Sequence, residues 1–328
     1  MMNERSQRSI EGGINIASID IGSHTARLLV GQRTGPPELF LPIARKRAYI
    51  RLAEGFSSQG SDMISPEAVE RALTVLEDFA VTAKECDASS ICAVSTGVVR
   101  RAINNRYLLD LIYDRTGIDV RVISGGKEAR LARKGVLHSL DIQGLPSVIF
   151  DLGGGSTEFI SGDCEIIEFK SIPLGAALLT QRFLGSGPLE EEEIGELVRF
   201  TDEMLEEAFI RENYPGRDLL IVGTGGTVTT LTAMLNHIDV MEITPERING
   251  QILKRGEIER LFMHMKSLSA ADRLRLPGLD RGRADVILAG VIVVIRILYF
   301  FRVRQLMASF SDILEGVLIE YIQGDEDE

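Results

Sequence analysis

The fold of this chain is decided by the stretch Val148-Ile-Phe-Asp-Leu-Gly-Gly-Gly-Ser-Thr-Glu-Phe-Ile160. An apolar run ends at Asp151, three glycines follow, and the chain returns through Glu158 to a second apolar run, which predicts two strands joined by a tight turn. Glycine leaves no Cβ between the backbone N–H groups and a bound anion. The two acids are of the type that holds a divalent cation and orients a water molecule. Alone, the stretch is also compatible with a hairpin turn that binds nothing, because glycine-rich loops are common.

Two other stretches repeat this pattern of strand and glycine turn. Near the N-terminus, Asp20, Gly22 and Ser23 follow an apolar run and precede a returning strand at residues 26–31. Further along, Leu219-Leu-Ile-Val-Gly-Thr-Gly-Gly-Thr227 makes a third strand-to-glycine turn, which opens a helix. The first two loops each carry an aspartate at the end of the strand. The three loops therefore predict two related halves that close on one nucleotide or phosphate chain.

Local signals predict several helices. Ser65 followed by Pro66 is typical of a helix start, with the serine as N-cap. Residues 95–104 form a strand-to-helix junction at which Arg100 could clamp a phosphate, although an ordinary cap with a surface arginine explains the same residues. The longest apolar run, residues 286–295, is too short to span a bilayer and predicts a buried helix, so we expect no membrane segment.

The order of seven segments resembles the exopolyphosphatase and guanosine pentaphosphate phosphatase family, within the actin, sugar-kinase and heat-shock-ATPase superfamily. The resemblance covers residues 14–322 and, from the length, the short form of the family. It implies an α/β fold of two ribonuclease-H-like (actin-like ATPase) domains, residues 1–130 and 131–328, with a cleft between them. The segments are Asp20-Ile-Gly-Ser23, residues 95–104, Lys127-Glu-Ala-Arg130, residues 151–158, Ile172-Pro-Leu-Gly-Ala176, residues 223–230 and residues 283–290.

The resemblance also implies phosphoanhydride hydrolysis, in which the protein aligns phosphates, neutralises charge and activates a water. Glu128 would activate that water and Glu158 would assist, although the residues alone favour Glu128 as an acid at the positive end of a helix. Mg²⁺ would be the cofactor, held by Asp20, Asp151 and Glu158, largely through waters. The phosphate-binding residues would be Gly22, Ser23, Arg100, Gly153, Gly154, Gly155, Ser156, Thr157, Gly223, Gly225, Gly226 and Thr227.

Three departures from the family pattern affect the expected turnover and substrate length preference. His24 stands where the family usually has asparagine, and Lys127 stands where it usually has an acid. We expect Lys127 to form an ion pair with Glu128, which would keep that carboxylate ionised and draw it away from the water. In the C-terminal segment, residues 309–316 lack both arginines of the family pattern.

Composition limits the remaining possibilities. The length of 328 residues predicts about two domains, and the net charge of −12 argues against broad nucleic-acid binding. Residues 91–134 nevertheless carry nine Lys/Arg against four acids, so a locally positive cleft could steer polyanions. Cys86, Cys92 and Cys164 lack metal-ligand spacing and are typical of reduced thiols in a cytoplasmic protein. The N-terminus has no apolar region that would indicate a signal peptide.

The sequence thus predicts an Mg²⁺-dependent phosphohydrolase that releases terminal phosphate from inorganic polyphosphate or guanosine pentaphosphate. The alternative is a regulatory protein that binds a nucleotide or polyphosphate with little turnover. A small-molecule kinase of the same superfamily is a third hypothesis, which the acid at position 128 disfavours. The choice between the two substrates stays open, and so does the oligomeric state, for which a homodimer is allowed.

Overall fold

The structure is a computed structural model that describes residues 13–54, 63–142, 144–162, 167–185, 189–210, 214 and 219–324. These ranges fold into two β-sheets, one of five strands and one of six, surrounded by helices. Cys164, one of the three predicted thiols, lies outside the described residues, while Cys86 and Cys92 form no disulfide within the described part of the chain.

The first sheet has the strand order β3-β2-β1-β4-β5. Strands β1 and β2 form an antiparallel hairpin, and β4 and then β5 extend the sheet in parallel on the other side of β1. Strand β3 pairs antiparallel with β2. The elements of this part are β1 Asn15–Ile21, β2 Thr25–Arg33, β3 Phe40–Tyr49, α1 Pro66–Glu85, β4 Ala88–Ser95, α2 Gly97–Arg101, α3 Asn105–Thr116 and β5 Val120–Val122.

The second sheet repeats this connectivity. Strands β6 and β7 form an antiparallel hairpin continued by β8, and β9 and β11 extend the sheet in parallel on the other side of β6, with β10 added antiparallel at the edge. The two related halves predicted from the glycine loops are therefore present in the topology. The strands are β6 Ser147–Leu152, β7 Thr157–Gly162, β8 Ile167–Ile172, β9 Leu220–Thr224, β10 Ile252–Lys254 and β11 Gln305–Ala308.

The helices that complete this half cover the second sheet, with one exception. The buried helix predicted from the apolar run is α11. Within the described ranges, none of the helices combines the length and apolar content that a bilayer crossing requires. The helices are α4 Gly125–Ser139, α5 Ala176–Phe183, α6 Glu191–Ala208, α7 Gly226–Leu235, α8 Pro245–Ile248, α9 Arg255–Ser267, α10 Ala270–Arg273, α11 Ile287–Phe300 and α12 Ile313–Gln323.

The exception is the last helix, α12, which packs on the first sheet. Its buried side chains share a cluster with Ile16 of β1, Leu29 of β2 and Val94 of β4. Helix α12 also packs against α4, the helix within which the proposed domain boundary at residue 130 falls. The division into residues 1–130 and 131–328 stays a prediction, and the return of α12 shows that the first sheet depends on the C-terminal end of the chain.

Candidate active site

A cavity of about 510 Å³ opens between the two sheets, at the ends of their central hairpins. The polar wall of this cavity is formed by most of the residues that the sequence singled out. The predicted site residues that line it are Asp20, Gly22, Ser23, Glu128, Asp151, Gly153, Gly154, Gly155, Ser156, Glu158, Gly225 and Gly226. The topology explains this convergence, because each hairpin turn lies at the same end of its sheet.

The β6–β7 turn is held in one shape by its own backbone and by α5. The N–H of Gly153 donates to the carbonyl of Ser156 at 3.0 Å, which closes the turn. Backbone N–H groups of Ala176 and Ala177 at the start of α5 donate to the carbonyls of Gly153 and Gly154, at 3.0 and 2.9 Å. A Cβ built on Gly175 would lie 2.3 Å from the Gly155 backbone, so the helix start contacts the turn directly. The turn is therefore a preformed backbone surface facing the cavity.

Four carboxylates face each other across this cavity. Asp20 ends β1, Asp151 and Glu158 flank the second glycine turn, and Glu128 belongs to the first turn of α4. Burial raises the pKa of Asp20, of Asp151 and of Glu158, and for Asp151 the charges of Asp312 and Glu158 add to the effect. The hydroxyl of Ser171 donates to Glu158 at 2.8 Å and opposes part of that increase. The group is a cluster of negative charge that only added positive charge or protons can relieve.

The carboxyl of Glu128 is strongly affected by its surroundings. Its pKa is raised to about 9, first by burial and then by the charges of Glu158, Asp20 and Asp151. Arg100 lowers it, with its guanidinium 3.3 Å from a Glu128 oxygen, and the same guanidinium nitrogen donates to the carbonyl of Ile123 at 2.9 Å. Arg100 thus contacts the proposed base and is not among the residues that line the cavity.

The predicted ion pair between Lys127 and Glu128 does not form, so that prediction is wrong. The Lys127 ammonium group contacts Glu320 of α12 at 2.7 Å instead. Consecutive residues of a helix point about 100° apart, so the two side chains diverge into different surroundings. Glu128 is accordingly not held ionised by its neighbour, and its raised pKa is the opposite of what the sequence suggested.

Arg27 and Asp312 complete the charged cluster, and no local pattern in the sequence indicates either of them. The Arg27 guanidinium donates to Asp20 at 2.7 and 3.0 Å and also contacts Asp312, which caps the start of α12. Burial lowers the pKa of Arg27, but the charges of Asp312, Asp20 and Asp151 raise it by more. This arginine therefore neutralises part of the cluster and ties the end of β1 to α12.

Three residues predicted to bind phosphate lie behind the cavity wall. The fully buried Thr157 donates its hydroxyl to the carbonyl of Leu174 at 2.7 Å. Gly223 packs so closely that a Cβ there would lie 2.6 Å from Phe150. Thr227 is buried against Gly290 of α11. Their small size is explained by packing, and backbone groups of the neighbouring residues form the wall.

Arg283 and His24 also line the cavity, where the His24 Cβ would lie 3.0 Å from a Cβ built on Gly154. The Arg283 guanidinium covers the start of α7, where a Cβ built on Gly226 would lie 1.7 Å from its Cζ. Its buried Nε has no hydrogen-bond partner among the described residues, and burial together with Arg47 lowers its pKa to about 10. His24 is held by the carbonyl of Gly282 at 3.2 Å, and burial lowers its pKa. Arg283 therefore places a positive charge in the lining of the cavity, next to the start of α7.

The donor set fits a magnesium ion in type. Asp20, Asp151 and Glu158 supply the hard oxygens that Mg²⁺ prefers. One oxygen of Asp20 is already bonded to Arg27, and within the described ranges no group of three or more acids, histidines or cysteines is arranged so that it could hold a metal ion by itself. Since Mg²⁺ usually keeps several waters and takes only one or two carboxylates, this open arrangement suits it better than a dedicated protein cage would.

Comparisons with known proteins agree with the fold. Exopolyphosphatase 2 of Mycobacterium tuberculosis is 31% identical over 319 residues, which cover 93% of this chain and 97% of the relative. The crystal structure of an exopolyphosphatase from Cytophaga hutchinsonii superposes with a TM-score of 0.85 at 28% identity, covering 94% of this chain and 98% of that one. A Ppx/GppA family member from Aquifex aeolicus gives a TM-score of 0.78 at 29% identity, covering 96% and 99%.

Two sheets of repeated topology around a shared cavity define an α/β protein of the actin-like, two-domain class. Residues 32–324 match the Ppx/GppA phosphatase family, and the chain belongs to that family.

Proposed function

We propose that this protein is an Mg²⁺-dependent phosphohydrolase that releases terminal orthophosphate from inorganic polyphosphate, from guanosine pentaphosphate, or from both. The observation that carries the proposal is the convergence of Glu128, Asp20, Asp151 and Glu158 on one cavity whose wall is two glycine turns. Membership of a phosphatase family and similarity to proteins named exopolyphosphatase support the reaction and the polyphosphate substrate.

The chain's own groups account for binding of the terminal phosphate. The turns at residues 22–23 and 153–156 line the cavity. The N–H groups of Gly22 and Gly153 close these turns, so the remaining N–H groups of the two turns would donate to phosphate oxygens without a Cβ in the way. Arg283, which also lines the cavity beside Gly226, would add a positive charge for the phosphate oxygens. These groups would hold the phosphate so that its leaving bond points away from Glu128, as in-line attack requires.

Glu128 is the group best placed to take a proton from the attacking water. The water oxygen forms a bond to the terminal phosphorus, the bond from that phosphorus to the bridging oxygen breaks, and the water proton passes to the Glu128 carboxylate. Arg100 holds the carboxylate from the other side at 3.3 Å. Glu158, fixed by Ser171, would orient the same water.

The Glu128 carboxyl has a pKa of about 9 in this acid cluster, and a proton acceptor must be ionised to act. When bound near Asp20 and Asp151, Mg²⁺ would neutralise phosphate oxygens and lower that pKa towards neutrality. The three acids around Glu128 thus serve two purposes, because they bind the cation and make ionisation of Glu128 depend on it.

The cavity also has an apolar side that could accept the nucleoside of guanosine pentaphosphate. Ile43, Val240, Ile243 and Pro245 line it together with Phe310, and the Arg45 guanidinium lies 4.9 Å from the Phe310 ring centroid. An apolar wall of this kind is unnecessary for a chain of phosphates alone. This apolar wall therefore supports guanosine pentaphosphate as a second substrate.

The test is a phosphate-release assay with long polyphosphate, short polyphosphate and guanosine pentaphosphate side by side, in Mg²⁺ and in chelator. We expect Mg²⁺-dependent release of orthophosphate from at least one of them. Tight binding of these ligands without release would instead indicate the regulatory binding protein, and transfer of phosphate to an added acceptor would indicate a kinase.

A further inference from the structure

Helices α4 and α12 pack antiparallel along one row of contacts that recurs every four residues. A Cβ built on Gly316 would lie 1.9 Å from the carbonyl oxygen of Leu131, and one built on Gly135 would lie 2.0 Å from that of Asp312. One turn before Leu131 and one turn after Gly316, Lys127 and Glu320 form their ion pair at 2.7 Å. The row therefore consists of two backbone contacts and one charged contact.

The charged contact is the member of this row nearest to Glu128. The Lys127 side chain is 17% exposed and that of Glu320 is 13% exposed, so the pair is less screened by water and salt than the surface pairs of this protein. Glycine contacts determine how closely the helices approach. The ion pair adds an attraction between the two helices at the end of the row next to Glu128.

Helix α12 is itself fixed relative to the acids of the cavity. Its apolar face packs on β1, β2 and β4, and its first residues are tied to Asp20 through Arg27 and Asp312. A contact that fixes α4 on α12 therefore also fixes the first turn of α4 relative to Asp20. Glu128 follows Lys127 directly and faces Asp20, Asp151 and Glu158.

We propose that Lys127 is a positioning residue, whose ion pair with Glu320 holds the first turn of α4 so that Glu128 is directed at the phosphate end of the cavity. The effect on turnover rests on the proposed function, whereas the effect on the helix start does not. The pair connects α4, which carries Glu128, to α12, which is tied to Asp20 through Arg27 and Asp312.

The experiment compares Lys127→Met, Glu320→Gln, Lys127→Arg and the charge exchange Lys127→Glu/Glu320→Lys. For the first two variants we expect kcat on polyphosphate to fall roughly tenfold to a hundredfold, since small displacements of a catalytic group have effects of this size, while KM changes little. Lys127→Arg and the exchange should recover most of the loss. Lys134→Met is the matched control, because it removes a lysine contact from α4 to Gln323 of α12 on the exposed side, and it should keep kcat.

Hydrogen–deuterium exchange of residues 125–131 is measured on the same variants without substrate. Hydrogen–deuterium exchange that is faster in Lys127→Met and Glu320→Gln, and that returns to the wild-type rate in the double variant with swapped charges, supports the proposal whether or not polyphosphate is the substrate. Unchanged exchange and unchanged kcat in Lys127→Met would overturn it. A loss of thermal stability with normal kcat would also overturn it, because it would show a merely structural pair. An inactive wild type would contradict the proposed function alone.

Discussion

At the scale of single residues, the site is a set of carboxylates whose ionised form is disfavoured by burial unless a cation or protons are bound. Asp20, Asp151, Glu158 and Glu128 are brought together with one arginine, Arg27, in direct contact with Asp20. Carboxylates buried in this way gain protons or a cation, or else reduce the stability of the fold. The cost is concentrated where the chemistry is proposed to occur, as is typical of functional sites.

Glu128→Gln should stabilise the protein in the absence of divalent cations, and more so as the pH rises. The ordinary pKa of this carboxyl is 4.5 and its folded value is about 9, so between these values the folded state binds the proton that the unfolded state releases. Unfolding free energy attributable to Glu128 therefore falls as the pH rises through this window. The melting temperatures of wild type and of Glu128→Gln, measured between pH 5 and pH 9, test this prediction.

The control for this prediction is Glu203→Gln, which removes an exposed carboxylate from α6. The gap in melting temperature between Glu128→Gln and wild type should widen by several degrees from pH 5 to pH 9, because 1 kcal/mol corresponds to roughly 1–2 °C for a chain of this length. A gap that stays constant or narrows would contradict the assigned environment of Glu128.

Residue-level prediction from the sequence worked for side chains adjacent to a recognisable turn. Asp20, Asp151 and Glu158 all line the predicted cavity because strand ends and glycine turns determine their place locally. The pairing of Arg27 with Asp312 spans 285 positions, and nothing in either segment indicates the other. The contact of Lys127 with Glu320 could not be predicted for the same reason, since no local pattern in the sequence shows that α12 packs against α4.

At the scale of elements, the strands and most helices follow from local rules. Ser65 caps α1 as predicted, with its hydroxyl accepting from the N–H of Ala68 at 3.2 Å, and Ser124 caps α4 in the same way. What local rules could not provide is the pairing of α4 with α12. That pairing depends on Gly135 and Gly316, whose lack of a side chain is meaningful only once the opposing backbone is known.

Gly316→Ala should destabilise the protein and lower its activity. The added methyl group would lie 1.9 Å from the Leu131 carbonyl oxygen, so the helices must separate, at a cost of about 1–3 kcal/mol or more. Gly195→Ala in α6 is the matched control, because a Cβ there meets nothing within 4 Å and should stabilise the helix by about 0.5–1 kcal/mol. Urea denaturation of both variants and of wild type measures their free energies of unfolding. Equal values for Gly316→Ala and wild type would contradict the close contact between the two helices.

At the scale of the whole molecule, two sheets of the same connectivity place two glycine turns on one cavity. The repeated strand order could be anticipated from the repeated loops, and the shared fold of the family supports it. The return of α12 to the first sheet could not be anticipated, because its apolar pattern fits either sheet. This return connects the C-terminal end of the chain to Asp20 and Glu128, so the site depends on both ends of the sequence.

Binding of Mg²⁺ should raise the melting temperature in a concentration-dependent way, because a ligand of the folded state stabilises it by linkage. The shift should shrink strongly in Asp151→Asn, which removes a charge from the cation-binding acids. Asp202→Asn is the control, because its carboxylate pairs with Arg296 on α11 rather than lining the cavity. Thermal denaturation with increasing Mg²⁺ measures the effect, and an equal shift in wild type and Asp151→Asn would argue against these ligands.

The most direct measurement of the central claim is orthophosphate release from polyphosphate by wild type and by Glu128→Gln, in Mg²⁺ and with polyphosphate binding measured in parallel. The account predicts that the variant binds polyphosphate but releases phosphate about 10²–10⁴-fold more slowly, the usual contribution of a general base. Release by Glu128→Gln at the wild-type rate would contradict it.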